Sequence, residues 1–158
     1  MTEFRFDTEV EFDASPGQVF DAMADIDGFG RWMQGFVAAE KLSEGPYGVG
    51  TRWRETRRMF GKEASELFEV RTCERPMELT LYVDGSQGST GKGEYLFRYR
   101  LQPAGSGTRL RCEAQVTMPG LFAKLLGWLF IGSFKKACDR DLYALRDHLG
   151  KAMPAEAG

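Results

Sequence analysis

The chain has 158 residues, 42% of them hydrophobic and 28% charged, with a formal net charge of −2 at pH 7. This length fits one domain with a substantial core, and the near-neutral balance gives no basic surface of the kind that binds nucleic acid. Three widely spaced cysteines and a single histidine form no metal-ligand pattern. We therefore expect no nucleic-acid partner, no metal and no cofactor, and we expect reduced, buried thiols in a cytoplasmic protein.

Neither end of the chain predicts a membrane span or a leader peptide. Residues 1–6 alternate in charge and lack the apolar segment of a secretory signal. The most apolar stretch, residues 121–134, is fourteen residues long and is interrupted by Lys124. A bilayer span needs roughly twenty apolar residues. We expect no transmembrane segment and a cytoplasmic location.

The first 33 residues predict one strand followed by two short helices. Residues 3–13 alternate between apolar and charged side chains, a period typical of a half-buried antiparallel strand. Ser15 is placed to cap a helix whose first residue is Pro16 and which ends near Asp25. Residues 26–33 predict a turn leading into a second short helix or a 3₁₀ segment.

Beyond Gly35 the pattern changes to short strands separated by turns rich in glycine and proline. Such spacing predicts an antiparallel sheet or meander. The predicted strands are 36–42, 50–60, 63–73, 78–83, 93–101 and 108–118.

The chain closes with a predicted long helix over residues 119–150. Pro119 suits the first turn of a helix, and Gly150 followed by Pro154 predicts its end. The second half is amphipathic with one apolar stripe, whereas the first half is apolar nearly all round. That excess favours a cavity wall, a dimer face or contact with a membrane surface. Residues 151–158 are predicted to be a short flexible tail outside a single domain of residues 1–150.

Strand, two short helices, about six strands and a long helix together predict an α+β domain. A sheet of this size curves, and one long helix can lie across its concave face. Such packing seldom fills completely, so we expect a cavity between the helix and the sheet.

Several motifs resemble those of the START-like, or polyketide cyclase/dehydrase and lipid-transport, superfamily (SRPBCC). They are the segment 14–25 after the opening strand, Trp32, the segment 48–53, the strand end 74–76 and the strand start 108–110. The resemblance spans residues 3 to about 150. It implies a helix-grip fold, in which a curved seven-stranded antiparallel sheet wraps around the C-terminal helix and encloses an apolar cavity. The superfamily includes cyclases, hydrolases, lipid carriers, hormone receptors and chaperone partners, so it implies no single activity.

The strand around Trp53 offers the first candidate site. If Trp53 faces the cavity, the two-residue period of a strand places Glu55 and Arg57 on the same face. Buried charges must be paired, so these two could pair with each other or with Glu66 on the next strand. The pair is either a polar group at one end of an apolar pocket or a salt bridge near the rim of the sheet.

Aromatic side chains at inward strand positions and on the last helix form the second candidate site, and Tyr99 among them could offer a hydroxyl to a ligand. No residue pattern amounts to a catalytic site, because the lone His148 falls near a helix end and no Ser-His-Asp arrangement is evident. The predicted ligand-binding residues are Trp32, Trp53, Glu55, Arg57, Phe68, Phe97, Tyr99, Trp128 and Phe134.

Three functions are compatible with these residues. The first is binding of a small or medium hydrophobic ligand, such as a lipid, an aromatic or a polyketide-like compound, in the internal cavity. The second is a cyclase or dehydratase in which Glu55 or Glu66 moves a proton. The third is an interaction module in which 121–134 forms a homodimer contact or a peripheral membrane contact.

Overall fold

The computed structural model describes residues 1–59 and 61–152. A long strand, a helix and a 3₁₀ helix open the chain, six strands follow, and a long helix closes it, in the predicted order. The elements are β1 (Thr2–Phe12), α1 (Pro16–Ala24), a 3₁₀ helix (Ile26–Arg31), β2 (Phe36–Lys41), β3 (Arg52–Met59), β4 (Lys62–Glu74), β5 (Glu78–Asp84), a short 3₁₀ turn (Gly85–Gln87), β6 (Glu94–Ala104), β7 (Gly107–Met118) and α2 (Leu121–Ala152).

All seven strands form one curved antiparallel sheet in the order β1-β7-β6-β5-β4-β3-β2. Each strand from β2 to β6 is paired with the next strand along the chain. β1 instead pairs along its whole length with β7, from Thr2 opposite Met118 to Phe12 opposite Thr108. With α2, this is the helix-grip architecture that the resemblance implied.

A capping box starts α1, as the segment Ser15-Pro16 predicts. Ser15 Oγ accepts a hydrogen bond from Gln18 N at 3.2 Å, and Gln18 Oε1 accepts one from Ser15 N at 2.9 Å. These bonds satisfy backbone donors that the first helical turn leaves unpaired. The helix turns Val19, Phe20 and Met23 into the core.

The predicted ends of α2 are wrong by two residues at each side. Pro119 precedes the helix, because Gly120 has a φ of +100°, a left-handed conformation that a right-handed helix cannot include. Gly150 does not end the helix, which continues to Ala152. The rest of the predicted tail, residues 153–158, lies outside the described residues.

The first half of α2 packs with its small side chains inward. Gly127 is buried, and a Cβ built there would lie 2.0 Å from Cζ of Phe4 on β1. The large apolar side chains face outward, with Leu121 70%, Leu125 63% and Trp128 65% exposed. This outward face is therefore not a cavity wall, and its contact with a second copy or a lipid surface stays a prediction. No helix in the described part of the chain combines the length and apolar character needed to cross a bilayer.

Candidate functional site

A cavity of about 200 Å³ lies between the sheet and α2. Both the long helix and the region of α1 and the 3₁₀ helix contribute to its walls, which are largely aliphatic and aromatic. Eight of the nine predicted ligand-binding residues line it, namely Trp32, Trp53, Glu55, Arg57, Phe68, Phe97, Tyr99 and Phe134. Their role in binding stays a prediction, but the fold brings them together around one space.

Trp128 is the exception, and its predicted place at the cavity is wrong. Its side chain is 65% exposed on the outward face of α2. Gly127 approaches Phe4 closely, and Trp128 lies about 100° further round the helix, on a side that faces solvent. Phe130 of the same helix lines a second, smaller cavity near the start of β1.

The alternation along β3 follows the predicted parity. Trp53 is 1% and Glu55 is 6% exposed, whereas Arg52 and Arg58 lie on the solvent face. Arg57 shares the inner face with Trp53 and Glu55 and lines the cavity. The two-residue period of the strand is therefore sufficient to bring two opposite charges into an apolar space.

Arg57 lies between two carboxylates in this wall. Its Nε donates to Glu55 Oε2 at 2.9 Å, and its Nη1 donates to Asp141 Oδ2 at 2.6 Å. Trp53 Nε1 donates to the other oxygen of Glu55 at 3.3 Å, and the backbone N–H of Gln34 donates to Asp141 Oδ1 at 3.4 Å. The predicted pairing of Glu55 with Arg57 is confirmed, and it lies in the cavity wall. Asp141, which α2 supplies, is a member that the sequence did not predict.

Burial sets the titration of these carboxyl groups. Loss of solvation raises the pKa of Glu55 and of Asp141, and the Arg57 guanidinium opposes that rise in both cases. Both acids are thus easier to protonate than exposed carboxyl groups. Arg57 stays charged, since its two carboxylate partners raise its pKa although burial lowers it.

Glu66 lines the cavity on β4, but its carboxylate pairs with neither Glu55 nor Arg57. Its Oε1 accepts hydrogen bonds from the backbone N–H of Thr90 at 2.9 Å and from the Thr90 hydroxyl. Its Oε2 is buried and has no hydrogen-bond partner among the described residues. Glu66 therefore holds the loop between β5 and β6 and retains one acceptor oxygen without a partner.

Tyr99 and two cysteines form a neutral part of the wall. Burial raises the pKa of Tyr99 well above its ordinary value. Burial also raises the pKa of Cys112 to about 12, and the nearby Tyr99 side chain opposes that rise only in part. Cys138 is also a free thiol whose pKa burial raises. These groups are uncharged at neutral pH, so the thiols lack the thiolate that nucleophilic chemistry needs. Within the described residues, no group of three or more His, Cys, Asp or Glu side chains is arranged to hold a metal ion.

Aromatic rings form two contact groups in the wall. Trp53 stacks on Phe68 with ring centroids 5.3 Å apart and 6° between the planes. On the other side, Phe134 of α2 contacts Phe97 at 6.0 Å and Tyr95 at 5.4 Å. Such rings present large rigid apolar surfaces to whatever fills the space.

Comparison with known proteins agrees with this geometry. The sequence profile of the family described as "Polyketide cyclase / dehydrase and lipid transport" matches residues 3–150. No curated protein matches the chain in sequence. Among solved structures, a conserved protein from Geobacillus kaustophilus has a TM-score of 0.77 at 15% identity and covers 94% of this chain and 97% of its own.

Two further structures share the fold. The protein TTHA0849 from Thermus thermophilus has a TM-score of 0.75 at 20% identity, over 96% of this chain and 99% of that one. A START superfamily protein from Mycobacterium smegmatis has a TM-score of 0.68 at 17% identity, over 92% of this chain and 98% of that one. At these identities the structural likeness establishes the fold alone.

Proposed function

Because this chain belongs to the polyketide cyclase/dehydrase and lipid-transport family, we propose that it binds one small or medium hydrophobic molecule in the cavity between the sheet and α2. The ligand would be a lipid, an aromatic or a polyketide-like compound. One observation carries the proposal: an apolar cavity of about 200 Å³ has charged side chains at a single region of its wall. Apolar pockets with a few convergent polar groups are the usual form of small-molecule sites.

Affinity in such a site would come mainly from removing apolar surface from water, at about 25 cal/mol per Å². The stacked pair Trp53 and Phe68 and the cluster around Phe134 supply that surface on the protein side. Orientation would come from the polar groups, since Arg57 with its two carboxylates and the Tyr99 hydroxyl are the hydrogen-bonding groups that a ligand would meet in that region.

A second candidate, a cyclase or dehydratase, is favoured by the buried Glu55. Its pKa is raised by burial, and a carboxylate with a raised pKa is a stronger proton acceptor than an exposed one. Incubation with a synthetic polyketone separates the two functions. A substrate recovered unchanged supports binding alone, whereas a product lighter by one water, formed by the wild type and not by Glu55→Gln, supports the enzyme.

The binding proposal is tested with the neutral fluorescent probe N-phenyl-1-naphthylamine. We expect its emission to rise on binding to the native chain with a stoichiometry of one, because the probe would leave water for an apolar cavity. We also expect the probe to raise the unfolding temperature, since a ligand that binds only the folded state stabilises it. A probe that neither brightens nor shifts the unfolding temperature, together with a panel of neutral lipids that also gives no shift, would contradict the proposal.

A further inference from the structure

The charges that line the cavity are not balanced. Among the described residues, the lining contains three carboxylates, Glu55, Glu66 and Asp141, and a single guanidinium, that of Arg57. The chain as a whole is close to neutral, with a net charge of −2. The lining is therefore more acidic than the protein's overall composition.

The one cation in this described lining is already engaged by protein groups. Arg57 Nε is bonded to Glu55 at 2.9 Å and Nη1 to Asp141 at 2.6 Å, and Nη1 also approaches the backbone oxygen of Gln34 at 3.5 Å. A carboxylate ligand would have to share this guanidinium with both carboxylates. It would also add a fourth negative charge to a low-dielectric space, where like charges close together are strongly unfavourable.

Glu66, the third carboxylate of the lining, is not bonded to Arg57. Glu66 Oε2 is buried and has no partner among the described residues, although its other oxygen is bonded to Thr90. Oε2 packs against Gly88, where an added Cβ would lie 2.2 Å from it, so Glu66 acts on a ligand in the cavity through its negative charge and not through a direct hydrogen bond. This charge favours a cationic end of a ligand over an anionic one.

We propose that the cavity selects amphiphiles whose polar end donates hydrogen bonds, primary amines above alcohols, and that it discriminates against amphiphiles that end in a carboxylate. This proposal rests on the proposed function, since it assigns the polar end of the ligand to the same cavity. The three carboxylates outnumber the one guanidinium and so favour a protonated amine over an anionic group, and Arg57 holds Glu55 and Asp141 in place.

Competition against bound N-phenyl-1-naphthylamine tests the selectivity with three linear ligands of eight carbons each. Octylamine, octanol and octanoate are titrated into the full-length protein at neutral pH. We expect octylamine to displace the probe at a concentration at least about tenfold lower than octanoate, with octanol between them. A tenfold ratio corresponds to about 1.4 kcal/mol.

Substitutions of the lining carboxylates test which residues cause the selectivity. Glu66→Gln should reduce severalfold the ratio of the octanoate and octylamine concentrations that displace the probe, because the amide keeps the shape of the side chain and removes its charge. Glu55→Gln should narrow it as well, and Glu66→Gln serves alone if Glu55→Gln does not fold. Glu63→Gln is the matched control, since Glu63 lies on the same strand as Glu66 with its side chain 52% exposed, and its ratio should equal that of the wild type.

The outcomes separate this inference from the proposed function. Octanoate that competes as well as octylamine against a bound probe overturns the inference and leaves binding in the cavity intact. A ratio in Glu66→Gln and Glu55→Gln that equals the wild-type ratio also overturns it. A probe that does not bind at all contradicts the proposed function, and the inference fails with it.

Discussion

The Arg57→Met variant is expected to lose about 3–5 kcal/mol of unfolding free energy at pH 7, the cost typical of removing one partner from a buried ion pair. Methionine keeps much of the side-chain volume but leaves Glu55 and Asp141 without the guanidinium that both contact. Both carboxylates lie in a space where burial already raises their pKa. Urea denaturation of the two proteins measures the difference.

The same variant has an expected pH dependence. When a carboxyl group has a higher pKa in the folded state than in the unfolded state, the folded protein becomes less stable as the pH rises from the unfolded pKa, near 4, through the folded one. Arg57 lowers the pKa of both carboxyl groups, and its removal takes that influence away. The difference in unfolding free energy between Arg57→Met and the wild type should therefore shrink as the pH falls from 7 towards 5.

Arg58→Met is the matched control, because Arg58 is on the solvent face with a side chain 62% exposed and forms an ion pair with the exposed Glu63. Its loss of unfolding free energy should be within about 1 kcal/mol. An Arg57→Met variant as stable as this control at pH 7 would contradict the account of the ion cluster.

Filling the cavity is expected to abolish most ligand binding without unfolding the protein. Ala137 lies on α2 and lines the cavity, so Ala137→Phe places a ring in a space of about 200 Å³. We expect the affinity for N-phenyl-1-naphthylamine to fall by about tenfold or more, and the unfolding temperature to stay the same or rise, as cavity-filling substitutions often do.

Ser133→Phe is the control for Ala137→Phe. It adds the same ring to the same helix at an exposed position and should leave the probe affinity unchanged. Equal affinity in the wild type and in a folded Ala137→Phe protein would show that the probe binds somewhere other than this cavity.

Much of the fold follows from local sequence rules. The alternation in residues 3–13 and the capping pattern at Ser15 and Pro16 predict β1 and α1, because period and cap chemistry depend on neighbouring residues. The same two-residue period places Glu55 and Arg57 beside Trp53. The order of the strands in the sheet, with β1 beside β7, follows from no local signal, and the seven-stranded helix-grip architecture was expected from the resemblance to the superfamily.

What the sequence did not reveal depends on tertiary contacts. Asp141 lies in a run of charged residues, 139–141, which gives it the appearance of a solvated position. Its spacing from Cys138 and Leu145 does place it on the inward side of the helix, and that was the available signal. Trp128 was misplaced for a related reason: tertiary contacts, such as that of Gly127 with Phe4, determine which side of an almost uniformly apolar segment faces the sheet.

Native mass spectrometry of the full chain, incubated with N-phenyl-1-naphthylamine or octylamine, tests the central claim most directly, because mass gives the stoichiometry of binding. Binding in the cavity predicts one ligand per wild-type chain and a largely ligand-free Ala137→Phe chain under the same conditions. Organic extraction of the purified wild type then identifies any apolar molecule that it carries from the cell. Wild-type protein with no bound ligand, or wild type and Ala137→Phe loaded equally, would contradict the claim.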